Sequence, residues 1–305
     1  MTGQSIRSHQ LSLPFVLGLV PFEASSNPLQ TNMSFKSLAV LAAGAASVSA
    51  HGVILDIVSG GKAYGGWDAN YQYYNPVPEV AAWQAGGFGH GPIVGTQYST
   101  ASINCHDDAK AAPIYMEAAA GSDIDISWGT PGSNPNPWPT SHHGPILTYM
   151  APCGGAAATG DCTAAAVEDL AWTKVYQKGL ITGGDIDSQV WATDELITNN
   201  KTTVTIPSSL KPGNYVLRNE IIALHSAGEV NGAQNYPQCY NVKVTGSGSG
   251  ELTDGVKGTE LYAPEDTVFN IYATVDSYPF PGPALWSGAS SASNATKRWA
   301  RNFKA

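Results

Sequence analysis

The sequence predicts an all-β protein, a sandwich or a barrel with long loops and short helices, on three observations. Its apolar runs are short, and they are rich in β-branched residues or alternate with polar ones, the patterns of buried and half-buried strands. Its 33 Gly and 20 Pro are more punctuation than long helices tolerate. Once an apparent leader of 50 residues is removed, the chain is at the upper end of what one β-domain commonly occupies, so one large core is expected.

That leader comes first in the chain. Residues 33–50 hold Lys36, an apolar run over 38–48, and small residues at Val48 and Ala50, which is the pattern of a signal peptide cleaved before His51. The expected product is secreted and extracellular. The run is too short to cross a bilayer as a helix of about 20 residues, and no later stretch qualifies, so no membrane span is expected. Residues 1–32 precede Met33, itself a plausible start, and read as an upstream extension. Taken instead as part of one long signal, they leave the same mature chain.

The strands follow in order. Residues 52–58 form an apolar, β-branched run that ends at Ser59-Gly60-Gly61. Residues 64–83 gather Tyr64, Trp67, Tyr71, Tyr73, Tyr74 and Trp83 among Gly, Asn and Pro; rings in such a loop are either core or exposed faces able to stack on sugars. Ile124, Ile126 and Trp128 alternate with Asp123, Asp125 and Ser127, a period of two. A Pro/Gly/Asn-rich loop over 129–140 leads to Ser141-His142-His143-Gly144-Pro145 and a further strand at 146–150. The alanine-rich segment 151–171 is expected to hold a short helix. Strands are expected at 202–206, at 215–225 after the turn 211–214, at 234–244, and near 267–273. If 234–244 is extended, Gln234 and Tyr236 share a face and Cys239 lies on the other. The Ser/Ala-rich, then basic tail 289–305 is expected to be disordered.

Charge and cysteines narrow the function. After cleavage 13 Lys and Arg face 23 Asp and Glu, a net of −10, which disfavours nucleic acid and anionic membrane as partners and is compatible with neutral polysaccharide. The four cysteines, Cys105, Cys153, Cys162 and Cys239, all follow the cut, and an even count in a secreted chain suggests two disulfides. Three pairings are open. Cys153 with Cys162 and Cys105 with Cys239 is the simplest, and a zinc site is the rival reading, weakened by the lack of paired Cys-x2-Cys spacing.

Cleavage before His51 also creates a chelating group. The new amine and the imidazole of one residue can close on a metal ion when both are deprotonated. A buried histidine later in the chain would complete the site, and His142 and His143 are the candidates.

Four stretches in this order carry a resemblance. They are the leader ending at His51-Gly52, the segment from Trp138 through Ser141, His142 and Gly144 to Pro145, the segment from Pro212 through Arg218 and Glu220 to His225, and Gly232 through Gln234 and Tyr236 to Cys239. Over 51–288 the chain resembles the fungal lytic polysaccharide monooxygenases of auxiliary activity family nine. The resemblance implies an immunoglobulin-like or fibronectin-like antiparallel β-sandwich and a single catalytic domain over 51–288. It implies one copper per chain, held by the amine and Nδ1 of His51 and by Nε2 of His142, with Tyr236 axial and distant. His225 and Gln234 match the pair that hydrogen-bonds the oxidant, and with Tyr236 they form the catalytic set. His143 is then not a ligand. Tyr71, Tyr73 and Tyr278 match positions of the substrate face.

The function implied is oxidative cleavage of β-1,4-glucan, with cellulose as the leading substrate, by a monomer using O2 or H2O2 and an external electron donor, either a small reductant or a redox enzyme. Nitrogen ligands suit copper on general grounds. The competing functions are a secreted copper-binding protein without turnover and a hydrolytic endoglucanase. The latter needs two carboxylates flanking the bond, and Glu220 and Asp107 are not paired by any motif.

Overall fold

The computed structural model describes residues 52–86, 91–130 and 137–289. The extension 1–32, the signal segment 33–50, His51 and the tail beyond Ala289 lie outside the described residues. In chain order the strands are β1 (Val53–Ser59), β2 (Lys62–Gly65), β3 (Met116–Ala119), β4 (Asp123–Gly129), β5 (Ile146–Pro152), β6 (Ala171–Lys178), β7 (Leu180–Thr182), β8 (Val190–Trp191), β9 (Thr202–Thr205), β10 (Gly213–Ala223), β11 (Gln234–Thr245) and β12 (Val256–Lys257). Among the described residues two short α-helices accompany them, α1 (Ser102–Cys105) and α2 (Ala192–Asn199).

A four-stranded sheet, ordered β2-β1-β4-β9, faces a six-stranded one, ordered β12-β6-β5-β10-β11-β3, and β7 and β8 form a separate ribbon. The expected β-sandwich is the fold observed. Every strand pair is antiparallel except β3 with β11, which run parallel. Between the sheets Ile57, Ile126 and Val204 meet Met150, Leu217, Ile221 and Val242, and Trp128 Nε1 donates to Asn219 Oδ1 across the gap at 2.8 Å. Removing this apolar area from water drives the layering.

The larger sheet is buried on both faces. Its outer side, with Leu147, Tyr149, Trp172, Val216 and Ile222, is covered by loop residues that include Trp83, Ile93, Tyr98, Leu261 and Ile271. Double cover explains why β5 reads as a near-continuous apolar run, and why β10, which carries Arg218, Asn219 and Glu220 in its middle, is buried on both faces over most of its length. Under that cover Arg218 and Glu220 form a forked pair, 2.8 Å at each contact, with both side chains fully buried. Arg218 also donates to the Ile103 and Asn104 carbonyls, and Glu220 accepts from Asn235 Nδ2 and the Tyr262 hydroxyl, so the charges are satisfied.

The cysteines pair as Cys105–Cys239 and Cys153–Cys162. Around the smaller disulfide the expected short helix is two three-residue 3₁₀ turns, Cys162–Ala164 and Val167–Asp169. The strand expected near 267–273 does not form. That segment lies against loops rather than an open sheet edge: Phe269 N donates to Ala227 O at 2.7 Å, and Gln189 Nε2 donates to the Ile271 and Ala273 carbonyls. Its hydrogen bonds are made without a ladder.

Candidate metal centre

The site grows from one end of the sandwich, where the start of β1 meets the loop before β5. Val53 pairs with Gly129, and Gly129 is bridged in turn to Pro137. Gly52 rests on Trp138, so closely that a Cβ there would stand 3.0 Å from two ring carbons and 3.1 Å from the Gly129 carbonyl. Only glycine fits this approach without displacement. It fixes on the indole the chain neighbour of His51.

Trp138 also holds His142. Its Nε1 donates to the His142 carbonyl at 2.9 Å, its ring meets the imidazole edge-on at 5.9 Å between centroids, and His142 N donates to Pro139 O at 3.0 Å. His142 is buried, and Ser141 Oγ engages its Nδ1 at 3.0 Å, which directs any metal coordination to Nε2. His143 faces elsewhere. Its Nδ1 lies 2.8 Å from Asp194 Oδ1 at the start of α2. The following Gly144 is pressed so tightly on the Ile222 carbonyl that no side chain could fit, which fixes where the two histidines diverge.

The third contribution comes from the β10–β11 connection. Ala223 pairs with Gln234 and Ile221 with Tyr236, so Gln234 and Tyr236 stand on the inner face while Cys239 points to the outer one, as the period of two requires. His225, just past β10, brings its ring to 4.2 Å from that of His142, tilted by 40°. Tyr236 lies 5.1 Å from Trp138 and 6.3 Å from His142, and its hydroxyl donates to Gln234 Oε1 at 2.9 Å. Burial raises the Tyr236 phenol above its ordinary range, in keeping with a protonated hydroxyl that donates. Thus His142, His225, Gln234 and Tyr236 converge, and Trp138 walls His142 and Tyr236.

The proposed substrate rings are less uniform. Tyr73 is 69% exposed. Tyr71 is half-buried, edge-on to Trp67 at 5.5 Å and to Tyr74 at 5.8 Å. Tyr278 is set in an aromatic cluster with Trp191, Phe269 and Phe280, at 5.1–5.4 Å, and burial raises its phenol. Within 64–83, Tyr64, Trp67 and Trp83 are core. Two contacts near the site are not read from the sequence: that of Ser141 Oγ with His142, although Ser141 stands in the matched stretch, and that of Tyr272, hidden in the segment read as a strand, with the His225 carbonyl. The hydrolytic alternative loses its acid, since Glu220 is fully buried with both oxygens accepting hydrogen bonds.

Among the described residues no group of three His, Cys, Asp or Glu side chains gathers to hold a metal. The His142 imidazole and the Tyr236 phenol, with His225 beside them, nonetheless fit part of a nitrogen-rich copper site that needs one more donor residue at the start of β1. Auxiliary Activity family 9 (formerly GH61) matches residues 51–279, a span that opens on His51. The chain belongs to this family. It is 48% identical over 256 residues to AA9 family lytic polysaccharide monooxygenase B of Aspergillus fumigatus, covering 82% of this chain and 97% of that one. The extended catalytic domain of LPMO9A (EG4) from H. jecorina superposes with a TM-score of 0.71 at 42% identity, covering 79% of this chain and 93% of that one. A cellulose-active polysaccharide monooxygenase from M. thermophila does so with a TM-score of 0.62 at 29% identity, covering 77% and 99%. As a member of the family this protein is an oxidative polysaccharide-cleaving enzyme.

Proposed function

We propose that the mature protein starts at His51, is exported by the 33–50 leader, and cleaves cellulose or a related β-1,4-glucan oxidatively with one copper ion. The domain is 51–288, with 1–32 an upstream extension. His51, through its amine and Nδ1, and His142, through Nε2, would hold the ion, with the Tyr236 phenol beside them. Bound copper would supply one-electron chemistry with O2 or H2O2, fed by an external electron donor, to oxidise a C–H bond beside the glycosidic link.

The chain's own residues do the rest. Trp138 fixes Gly52 and His142 relative to each other, and the Ser141 hydroxyl occupies His142 Nδ1, leaving Nε2 for the metal. His225, whose ring lies 4.2 Å from that of His142, and Gln234, bonded to Tyr236, would hold or move a proton at the reacting oxygen. The observation that carries this reading is the packing of Gly52 on the same indole that binds the His142 carbonyl. The cellulose assignment draws on the cellulose-active relative and on the exposed tyrosine Tyr73.

The test is a secreted protein that retains Ala50. Acylated by Ala50, the His51 nitrogen has no usable lone pair, and the bidentate chelate shrinks to one imidazole. Such a protein should form both disulfides yet bind copper at least about 100-fold more weakly by calorimetry. It should release no oxidised oligosaccharides with ascorbate. Wild-type copper affinity with Ala50 shown by mass spectrometry to be attached would falsify the brace.

A further inference from the structure

We infer that Asn200 is an N-glycosylation site of this protein, and that its glycan stands on the flank of the sandwich, over the edge strand β9 and set back from the copper end. The inference rests on the export reading above, because the oligosaccharide is added inside the secretory route. Asn200, Lys201 and Thr202 form the acceptor pattern Asn-x-Thr, with no proline between. That pattern recurs by chance in many chains, and the turn that carries it is what decides here.

Asn200 caps the C-terminus of α2 in the left-handed conformation, φ 56° and ψ 16°, which asparagine tolerates better than most residues other than glycine. The turn leads from α2 directly into β9, and residues 198–201 are exposed in a row. The side chains around it are engaged. Thr198 Oγ1 donates to Asp194 O at 2.8 Å, Lys201 Nζ to Asp125 Oδ2 at 2.7 Å, and Thr203 Oγ1 to Asp125 Oδ1 at 2.6 Å. The Asn200 amide bonds to none of the described residues, so a sugar on its Nδ2 displaces no contact of the fold.

Transfer joins Nδ2 to the anomeric carbon of an oligosaccharide carried on a lipid pyrophosphate. The bond from that carbon to the pyrophosphate oxygen breaks, its electron pair leaves with the lipid pyrophosphate, and Nδ2 gives up one proton. Thr202 is part of the acceptor, yet it is 8% exposed once it lies opposite Ile126 in the sheet, so transfer precedes the docking of β9. After folding, the exposed turn only has to carry the sugar.

Position gives the glycan its effect. β9 is the outer strand of the four-stranded sheet, and an unpaired strand edge is a template for association with other chains. A bulky, hydrated group at the entry to β9 covers that edge. Thr202 is level with Ile126, about 10 Å along β4 from Gly129, where the metal site begins. The attachment point is therefore behind Trp138 and His142 rather than beside them.

The experiment takes the full chain secreted from a eukaryotic host and maps its peptides after amidase release of N-glycans in heavy-oxygen water, which converts a glycosylated asparagine into labelled aspartate. The peptide holding residue 200 should carry the label in most copies. Asn200→Gly, which keeps the left-handed turn, should remove it. Mapping reads this site apart from the second acceptor pattern, 294–296, which lies outside the described residues. Release from the folded protein should leave copper affinity by calorimetry within about twofold. It should also speed aggregation on heating by about two- to fivefold, and Asn200→Gly should match the released protein. An unlabelled Asn200 in secreted protein that begins at His51 would overturn the inference and leave the export reading standing. A chain retained in the cell without glycan would sink both. An occupied Asn200 whose release weakens copper binding more than about tenfold would overturn the flank placement, and an aggregation rate unchanged by release would overturn the covering of β9.

Discussion

Replacing Trp138 with phenylalanine should separate metal binding from folding. The indole Nε1 is the partner of the His142 carbonyl at 2.9 Å, and a phenyl ring leaves that buried acceptor unpaired, a cost of about 1–3 kcal/mol. The lost ring volume, in a site walled by Gly52, Trp128 and Tyr236, adds about 1–2 kcal/mol of transfer and cavity terms. For a domain of this size each kcal/mol lowers Tm by roughly 2–4 °C, so a fall of about 4–20 °C is expected. Both the Gly52 support and the His142 anchor go with the indole, so copper affinity should fall by at least about tenfold. The control is Trp128→Phe. Trp128 packs on Trp138 at 5.6 Å and donates to Asn219 rather than to a site residue, so its loss should cost similar stability and leave copper affinity within about twofold. Differential scanning calorimetry and copper titration of both variants give the answer. Equal loss of copper in the two, or none in Trp138→Phe despite a lowered Tm, would refute the idea that Trp138 aligns the two halves of the site.

His142→Ala should lose the axial copper EPR signal, while His143→Ala should keep it, because the His143 ring is committed to Asp194; the reverse order would show that the wrong ring has been assigned. His225→Ala should retain copper by calorimetry yet oxidise substrate far more slowly. Loss of copper with the fold intact would promote His225 to a ligand. Burial of Lys174, whose Nζ donates to Pro281 O at 2.7 Å, pushes its ammonium from the ordinary 10.5 down to about 8, although nearby Glu220 opposes the shift. The folded state then binds fewer protons than the unfolded one between about pH 8 and 10, so stability should rise with pH across that window. Above about pH 10 the buried Tyr149 and Tyr262 stay protonated while unfolded tyrosines ionise, and the slope should reverse. Urea midpoints at pH 8 and 9.5 that are flat for wild type, or that rise equally in Lys174→Met, would contradict the assignment to Lys174.

The strands that were legible in the sequence are those whose pattern was simple. β4 alternates, β1 and β5 are short apolar runs ended by turn residues, and β10 follows the turn signal at 211–214. β6 was missed because Lys174 sits in the middle of it and reads as solvent-facing, whereas the fold buries that side chain at 1% exposure. α2 was missed because it has eight residues and is started by a contact no periodicity reveals, Trp191 N donating to Asp194 Oδ2 at 2.7 Å. The segment 267–273 misled in the other direction: it has strand-like residues but no strand beside it. At the site, the resemblance was enough to single out His142, His225, Gln234 and Tyr236, side chains that the fold brings together. It was not enough for Tyr272, whose link to His225 joins residues 47 apart through one hydroxyl.

The inner-face site depends on one register, that of β10 with β11, and the outer face is built to hold it. A slip of one residue would turn Gln234 and Tyr236 away from His142 and bring Cys239 inward. Cys239 pairs across the ladder with Arg218 and is bonded to Cys105 of α1. Arg218 donates to the Ile103 and Asn104 carbonyls of that same helix, and Glu220 takes Arg218 and, from the neighbouring strand, Asn235. A buried ion pair gains little net stability over its desolvation cost, so energy alone is a weak reason for these charges in a core. Their geometry is the stronger one. Each contact is satisfied only when Arg218 faces Cys239, which is the register that sets Ile221 against Tyr236 and Ala223 against Gln234. The covalent bond limits how far α1 can move from β11, and the forked pair with its carbonyl contacts selects one alignment within that limit. The phenol, the amide and the turn carrying His225 are therefore in place before any metal arrives.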